Sequence, residues 1–330
     1  MTTKLSIVLQ STGEHSWNVS GGWVNAARRL GVLHHVFTPR GPWDEPVKDD
    51  NGLAQFLKDC DSDVILMPGF DWHSQPLHNT PEWRIRWRKC RAKKVLIGHE
   101  SIHGDEKLTN TSRAFVAAAV ACECGIDLFV YNDIGDRALV HCLGIPNLYQ
   151  PFGVDLDVFK AEKPYAARQT KPFFRGKVEF EFMPGVPVYQ DRRRLVKHLQ
   201  YRELIDVQRF EFDKPLDPAM LAGLYNDRRI VVNFPSVFPG HPTRVTEAMA
   251  CGCCVLTNLT GVPELDKEFT NRKHLFYYDP NDAVALEDRV RFCMANQDVC
   301  EYVAQAGRRM VESTMGLDKL LGKILEKVAV

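Results

Sequence analysis

Short runs of branched apolar residues alternate with helix-patterned segments along the whole chain, and this alternation limits the possible folds more than any single motif. The run "KLSIVLQ" reads as a strand, "STGEHSWNVSGG" as a loop and "WVNAARRLG" as a helix ended by Gly31. There follow "HHVFTP", the helix "NGLAQFLKDC", the strand "DVILMPG", a basic helical segment from Pro81, the strand "KKVLIGH", the helix "TSRAFVAAAVACECG", the strand "DLFVYN", the helix "DIGDRALVHCLG" and the strand "NLYQP". Strands this short and this apolar need cover on both faces. That requirement predicts a parallel sheet between layers of helices.

The rhythm breaks at "FGVDLDVFKAEKPYAARQTKP", polar and flanked by prolines, which reads as an interdomain link. It resumes with the strand "FFRGKVEF", the helix "DRRRLVKHLQ", the strand "QRFEF", the helix "PAMLAGLYNDR" and the strand "IVVNFP". A short helix, the strands "CVLTN" and "LFYY", the helix "DAVALEDRVRFCMAN" and helices to the end complete it. A chain of 330 residues exceeds the usual size of one hydrophobic core. The expected fold class is α/β, with two Rossmann-like doubly wound domains, residues 1–152 and 153–310, facing a central cleft. Such a cleft is the default place for a ligand. No solenoid repeat or low-complexity tract interrupts the pattern.

Charge excludes little, because 42 basic residues face 42 acidic ones and bulk electrostatics predict no partner. No apolar run approaches the roughly 20 residues of a membrane span, and "MTTKLSIVLQSTGEH" lacks a signal pattern, so a cytoplasmic protein with no integral membrane segment is expected. Of ten cysteines, Cys251 and Cys254 form a CxxC, without a second pair at zinc-like spacing. Cys254 leads into the buried-looking "CVLTN". Structural thiols, and no metal, are expected. The sequons at Asn18, Asn110 and Asn258 match by a pattern that arises often by chance and needs a secretory route.

One stretch, "FPSVFPGHPTRVTEAMACGCCVLTN" from Phe234 to Asn258, concentrates chemistry. Pro242 suits the first turn of a helix, and Gly240 before it removes a side chain that would keep a ligand from the backbone. The free N–H groups of the first turn, at Thr243 and after it, then form a site for phosphate at the positive end of the helix dipole. Arg244 adds a charge-assisted donor pair for the same anion. Glu247, one turn deeper on the same side, is placed to accept both hydroxyls of a ribose. Val245, Ala248, Met249 and Gly252 make the packing face. A surface ion pair beside a proline-started helix is the plainer reading of the same residues.

The run "PTRVTEAMACGCCVLTN", with "GLYNDRRIVVNFP" before it and "LFYYDPNDAVALEDRVRFCMANQDVCEYVAQAGRRMVEST" after it, resembles the C-terminal domain of GT-B glycosyltransferases, over about Ala219 to Thr314. The group-1 transferases of the spore-protein (CgeB-like) branch are the nearest pattern. The resemblance implies a nucleotide-sugar donor held by the C-terminal domain, an acceptor approached from the N-terminal domain, no metal or other cofactor, and a retaining reaction. It also implies that residues 311–330 form a C-terminal helix packing back on the N-terminal domain. The sequence departs from the group-1 pattern in one respect. Its second glutamate corresponds to Glu247, but the first falls at Pro239, leaving the donor sugar's identity open; His241, close by, is a replacement donor to sugar hydroxyls.

Departure of a diphosphate calls for cationic stabilisation. Besides Arg244, the candidates are Arg175 and Lys177 in "FFRGK", where Gly176 resembles the family's strand-to-loop glycine; an exposed strand-end pair of charges is the alternative. The triple Arg192 to Arg194 reads as a solvated helix face from which one member reaches the cleft. In the first half, "VLIGHESIHGDE" sets His99, Glu100 and His103 directly after a strand, where ligand-facing residues collect. His99 would orient hydroxyls and Glu100 would accept from a hydroxyl nucleophile, with satisfied loop residues the bland reading. Gly21 and Gly22, in the loop before the first helix, would allow close backbone approach of an acceptor or phosphate, or simply serve a turn. Asn132 and Asp133 fall at another strand end, where Asp133 also suits a helix cap.

The segment "WRIRWRKCRAKK" carries seven basic residues interleaved with two tryptophans, a composition suggestive of an anionic acceptor, membrane surface or nucleic acid, against a solvated helix face. The expected function is sugar transfer from a nucleoside-diphosphate sugar to a hydroxyl of a polysaccharide, a small molecule or a modified DNA base. The rivals are a non-catalytic nucleotide-sugar or nucleic-acid binding module and a sugar-nucleotide epimerase of the same fold.

Overall fold

The computed structural model describes residues 3–9, 18–37, 52–68, 81–98, 121–132, 134, 137–178, 187–209, 216–236 and 240–329. The chain divides into two compact units, Met1–Pro151 with Leu317–Val330, and Phe152–Gly316. Each is a parallel sheet covered by helices, as the alternation of the sequence predicts.

The first sheet contains β1 (Leu5–Val8), β2 (Leu33–Phe37), β3 (Val64–Pro68), β4 (Lys93–Gly98), β5 (Leu128–Tyr131) and β6 (Asn147–Tyr149), in the order β2-β1-β3-β4-β5-β6. Every pairing is parallel. In β3, Ile65 and Met67 join a core with Trp87 and Phe129, while Val64 and Leu66 join another with Trp23 and Ala27. Both faces are therefore apolar, which is why the strands read as continuous apolar runs. The accompanying helices are α1 (Asn18–Arg29), α2 (Leu53–Asp59), α3 (Pro81–Lys89) and α4 (Arg137–Cys142). Helix α1 begins earlier than the sequence suggests. Gly21 and Gly22 thus lie inside its first turns and not in a loop, and Gly31, at φ 65°, supplies the left-handed residue that ends it.

The second sheet orders β7 (Phe173–Gly176), β8 (Asp206–Arg209), β9 (Ile230–Val232), β10 (Cys254–Asn258) and β11 (Phe276–Tyr278) as β11-β10-β9-β7-β8, again all parallel. Its helices are α5 (Pro187–Tyr201), α6 (Pro218–Asn226), α7 (Thr243–Ala250), α8 (Pro263–Asp266), α9 (Ala283–Ala295) and α10 (Gln297–Thr314). Asp217 caps α6 through Ala219 N–H, with Pro218 at the first helical position, and Asp282 caps α9 through Val284 and Ala285 N–H. The segment read as an interdomain link belongs to this unit. Val154 and Phe159 are buried against Val245 and Met249, and Arg168 donates to Cys251 O (2.8 Å) and Lys163 O.

The last helix, α11 (Leu317–Ala329), returns to the first unit. Leu317, Leu320, Leu321 and Ile324, spaced as one stripe of a 3.6-residue helix, are buried with Trp23 and Ala27. No helix among the described residues is long and apolar enough to cross a membrane.

Candidate functional site

In the second sheet the strand order reverses at β7, with β8 on one side and β9 on the other. Open α/β sheets bind ligands beyond the carboxyl ends of the strands at such a point. There β7 delivers Arg175, Gly176 and Lys177, β9 runs on into Asn233, Phe234 and Pro235, and the chain then enters α7.

Unlike α6 and α9, helix α7 has no side-chain cap; Pro242, at φ −65° and ψ 159°, is the residue before the helix, and Thr243 is its first helical residue. Proline thus precedes the first turn by one residue. The Cβ position at Gly240 faces open space. Helix α7 buries Val245, Ala248 and Met249 completely, as its apolar spacing requires, and Glu247 is also buried. Thr246 is satisfied locally through Thr243 O at 2.9 Å.

Arg244 reaches back across the carboxyl end of β7. Its guanidinium stands 5.5 Å over the Phe174 ring, and a Cβ on Gly176 would lie 2.9 Å from its Nη1. Only a residue without a side chain leaves that room. Nη1 is buried and has no hydrogen-bond partner. Burial pushes the Arg244 pKa below the usual guanidinium range, against the charges of Tyr225 and Glu247, and it lowers that of Arg175 likewise.

A third guanidinium completes the group. Arg192, on α5, is buried and donates from Nε (2.8 Å) and Nη2 to Pro235 O, and from Nη1 to Lys177 O (2.9 Å), tying together the segments that follow β7 and β9. It stacks 4.9 Å over Tyr189, and burial together with the charge of Arg244 pushes its pKa down to about 10. Arg193 and Arg194 are exposed, as a solvated face requires, and Arg192 is the one member turned inward. A signal was present. Arg192 precedes the buried Leu195, Val196 and Leu199 at helical spacing, so it occupies a core position of α5.

Glu247 is the carboxylate that acts on both Arg175 and Arg244. The guanidiniums of Arg175, Arg192 and Arg244 thus gather at the carboxyl end of β7 close to the buried Glu247. Buried charge of this kind is costly unless an anion pairs with it. The buried Nη1 of Arg244, which has no hydrogen-bond partner, suits this strand end to an anion.

His241 takes a different place from that expected of it. It is buried between Phe269 (5.2 Å, edge to face) and Tyr277, and its Nε2 lies 3.3 Å from Leu265 O and 3.1 Å from Tyr277 Oη. A carbonyl only accepts, so Nε2 carries the hydrogen and the unpartnered Nδ1 is a lone pair. What His241 has left is an acceptor, not the donor foreseen from the sequence. Burial also pulls its pKa below the ordinary imidazole value.

His99, Glu100, His103 and Asp133 lie outside the described residues. Asn132 ends the first unit's β5 edge, where its Nδ2 donates to Gln150 O (2.6 Å), leaving its buried Oδ1 and that of Gln150, Oε1, without donors. Gln150 was not foreseen. In the basic segment, Trp83 and Trp87 are core residues, not platforms for bases. Arg84 pairs with Glu123, Arg86 with Glu82 (2.6 Å), and Lys94 is buried on Cys90 O and Ala92 O. Cys251 and Cys254 do not form a pair, because they join the cores on opposite faces of the sheet. Asn258 is buried at the end of β10, its amide donating to Leu259 O (3.0 Å), a poor acceptor for a glycan.

Residues 185–326 match the family model described as "Glycosyl transferase-like". No curated protein matches the chain by sequence. Among solved structures, the chain is similar to the sucrose-phosphate synthase of Thermosynechococcus elongatus, with a TM-score of 0.65, 14% identity, and coverage of 98% of this chain and 99% of the other. It is similar to HepE of Anabaena in complex with UDP-glucose, at TM-score 0.63 and 12% identity, over 98% and 99% of the two chains. An alpha-glucosyltransferase in complex with UDP-glucose and DNA containing an abasic site aligns at TM-score 0.68 and 8% identity, over 99% and 100%. The likeness spans both units, so the fold is GT-B throughout.

Proposed function

We propose that this protein, which has the GT-B fold and matches the Glycosyl transferase-like model over residues 185–326, is a glycosyltransferase that moves a sugar from a nucleoside-diphosphate sugar to a hydroxyl acceptor. The observation that carries this reading is the buried, unpartnered Nη1 of Arg244 lying against Gly176 at the β7 reversal. Arg244, with Arg175 or Lys177 and the uncapped amides of Thr243 and Arg244, holds the diphosphate. Glu247, one turn deeper, takes the ribose hydroxyls.

Breaking the glycosidic bond leaves negative charge on the diphosphate and positive charge on the sugar. Fixed guanidiniums and helix-end amides that need no reorganisation lower the barrier to that separation. This chemistry asks for no metal at the phosphates, and we assign a metal-independent, retaining reaction on the strength of the resemblance. On the sequence pattern alone, His99 and Glu100 are the candidates for orienting hydroxyls and for accepting the proton of the hydroxyl nucleophile. The missing acid at Pro239 leaves the donor sugar to be chosen by other groups. A DNA acceptor, a reading to which the alpha-glucosyltransferase in complex with DNA lends interest, gains no support from the basic segment, whose tryptophans are core residues.

The test is a panel of nucleotide sugars screened by thermal shift, followed by nucleoside-diphosphate release with candidate acceptors. One donor should stabilise the protein and release diphosphate at a rate unaffected by added Mg2+ or Mn2+. Binding without any release would favour a binding module, and sugar interconversion without release an epimerase.

A further inference from the structure

Away from the donor site, three buried thiols come together from three separate elements. Cys254 opens β10, Cys293 lies in the last turn of α9 and Cys300 in the first turns of α10; their sulfurs all fall within 4.8 Å of one another and none of the residues is exposed. Zinc bonds thiolate sulfur at about 2.3 Å in a tetrahedron, which sets sulfurs about 3.8 Å apart. Closing the trio on such an ion asks for small side-chain shifts only. In the ion's absence Cys300 donates to Cys293 O (3.4 Å), a bond that metal binding gives up.

Two further groups here suit a bound cation. The Tyr165 hydroxyl is buried and has no hydrogen-bond partner, and the residue packs against the core that holds all three cysteines. Arg229 stands 5.6 Å over the Tyr165 ring, and its own carbonyl accepts from Cys254 N–H (2.8 Å). Its guanidinium donates to Gln297 Oε1 (3.1 Å) and Ala166 O, neither of them a carboxylate, while its buried Nε has no partner. Three thiolates with a divalent ion carry one negative charge. The Arg229 guanidinium cancels it, which a site inside an apolar core requires.

We propose that Cys254, Cys293 and Cys300, closed by the Tyr165 hydroxyl as fourth ligand and neutralised by Arg229, form a structural site for a zinc-type divalent cation. Binding releases three thiol protons and changes no oxidation state. The ion would clamp the start of β10 to the corner between α9 and α10. It takes no part at the phosphates, so the proposal stands or falls independently of the donor site. No spacing pattern signals it, since 38 residues separate Cys254 from Cys293 and the CxxC points to the wrong partner, Cys251.

The full chain, reduced and freed of metal, should bind one equivalent of Co2+ with the sulfur-to-cobalt charge-transfer absorption of a thiolate site, and Zn2+ should displace it. In moderate urea, where the buried trio of the metal-free protein becomes open to reagent, Zn2+ should protect three thiols from alkylation, and it should raise Tm. Cys293→Ala and Cys300→Ala should each abolish the absorption, and Tyr165→Phe should weaken Co2+ binding about tenfold, while Cys122→Ala, at an exposed thiol outside the trio, leaves both unchanged. Should a trio variant fail to fold, the wild-type spectrum and thiol protection still decide. No thiolate absorption in wild type, a disulfide found within the trio of the purified protein, or equal binding by Cys293→Ala and wild type would overturn the proposal.

Discussion

Arg244 Nη1 occupies the space beside Gly176 that a side chain there would fill: a Cβ would approach it to 2.9 Å and the Phe174 ring to 2.8 Å. The glycine at the end of β7 and the arginine in the first turn of α7 are therefore one device, split over 68 residues of sequence. The glycine lets the guanidinium lie across the strand end, and the aromatic ring beneath it fixes its height.

The Gly176→Ala variant should displace that guanidinium while leaving every charge in place. Affinity for a nucleoside diphosphate, with UDP as the probe because HepE was solved with UDP-glucose, is expected to fall roughly tenfold, equivalent to about 1.4 kcal/mol, measured by calorimetry. An unchanged affinity would show that the close approach has no role in binding.

Arg192→Met removes a buried cation of similar length and strips Pro235 O and Lys177 O of their donors. Leaving buried carbonyls unpaired costs about 1–3 kcal/mol each, so Tm should drop. Because Arg192 also contributes charge next to Arg244, UDP binding should weaken more than uridine binding. Equal losses for the two ligands would reduce Arg192 to a purely structural brace.

Helix α10 passes the backbone of His274 through Gly307, where a Cβ would sit 2.3 Å from His274 O and 3.0 Å from Met249. Gly307→Ala must push the helix away from both. Overpacking of this kind costs about 1–3 kcal/mol, read as a lower urea midpoint with an unchanged slope. Since Met249 belongs to α7, UDP affinity should fall with it.

His241 has a lowered pKa in the fold because burial disfavours its charged form. Between that value and about 6.5 the unfolded chain binds the additional proton, so stability rises with pH over that interval and falls as the pH drops through it. The His241→Gln variant should show a shallower fall in unfolding free energy between pH 7 and pH 5, followed by urea titration. A slope equal to that of wild type would mean the imidazole titrates freely.

Most of the architecture was legible because it depends on periodicity. Two-faced apolar runs such as "DVILMPG" and "CVLTN" became the central strands β3 and β10, and the spacing of Val245, Ala248 and Met249 gave the buried face of α7. What could not be read depends on which atoms meet across the fold. Arg192 looked like one of three surface charges until α5 turned it inward, and Trp83 and Trp87 looked like a basic platform until α3 buried them. The lone pair of His241 follows from Leu265 O, 24 residues away, and the thiol trio from a helix corner. Local propensity records none of these contacts.

The central claim is that buried guanidinium charge at the β7 reversal holds a diphosphate, and a crystal structure with UDP tests it most directly. The account predicts both phosphates against Arg244 and the amides of Thr243 and Arg244, with the ribose hydroxyls on Glu247. A nucleotide seated elsewhere, with Arg244 still packed on Phe174 and untouched by phosphate, would contradict it.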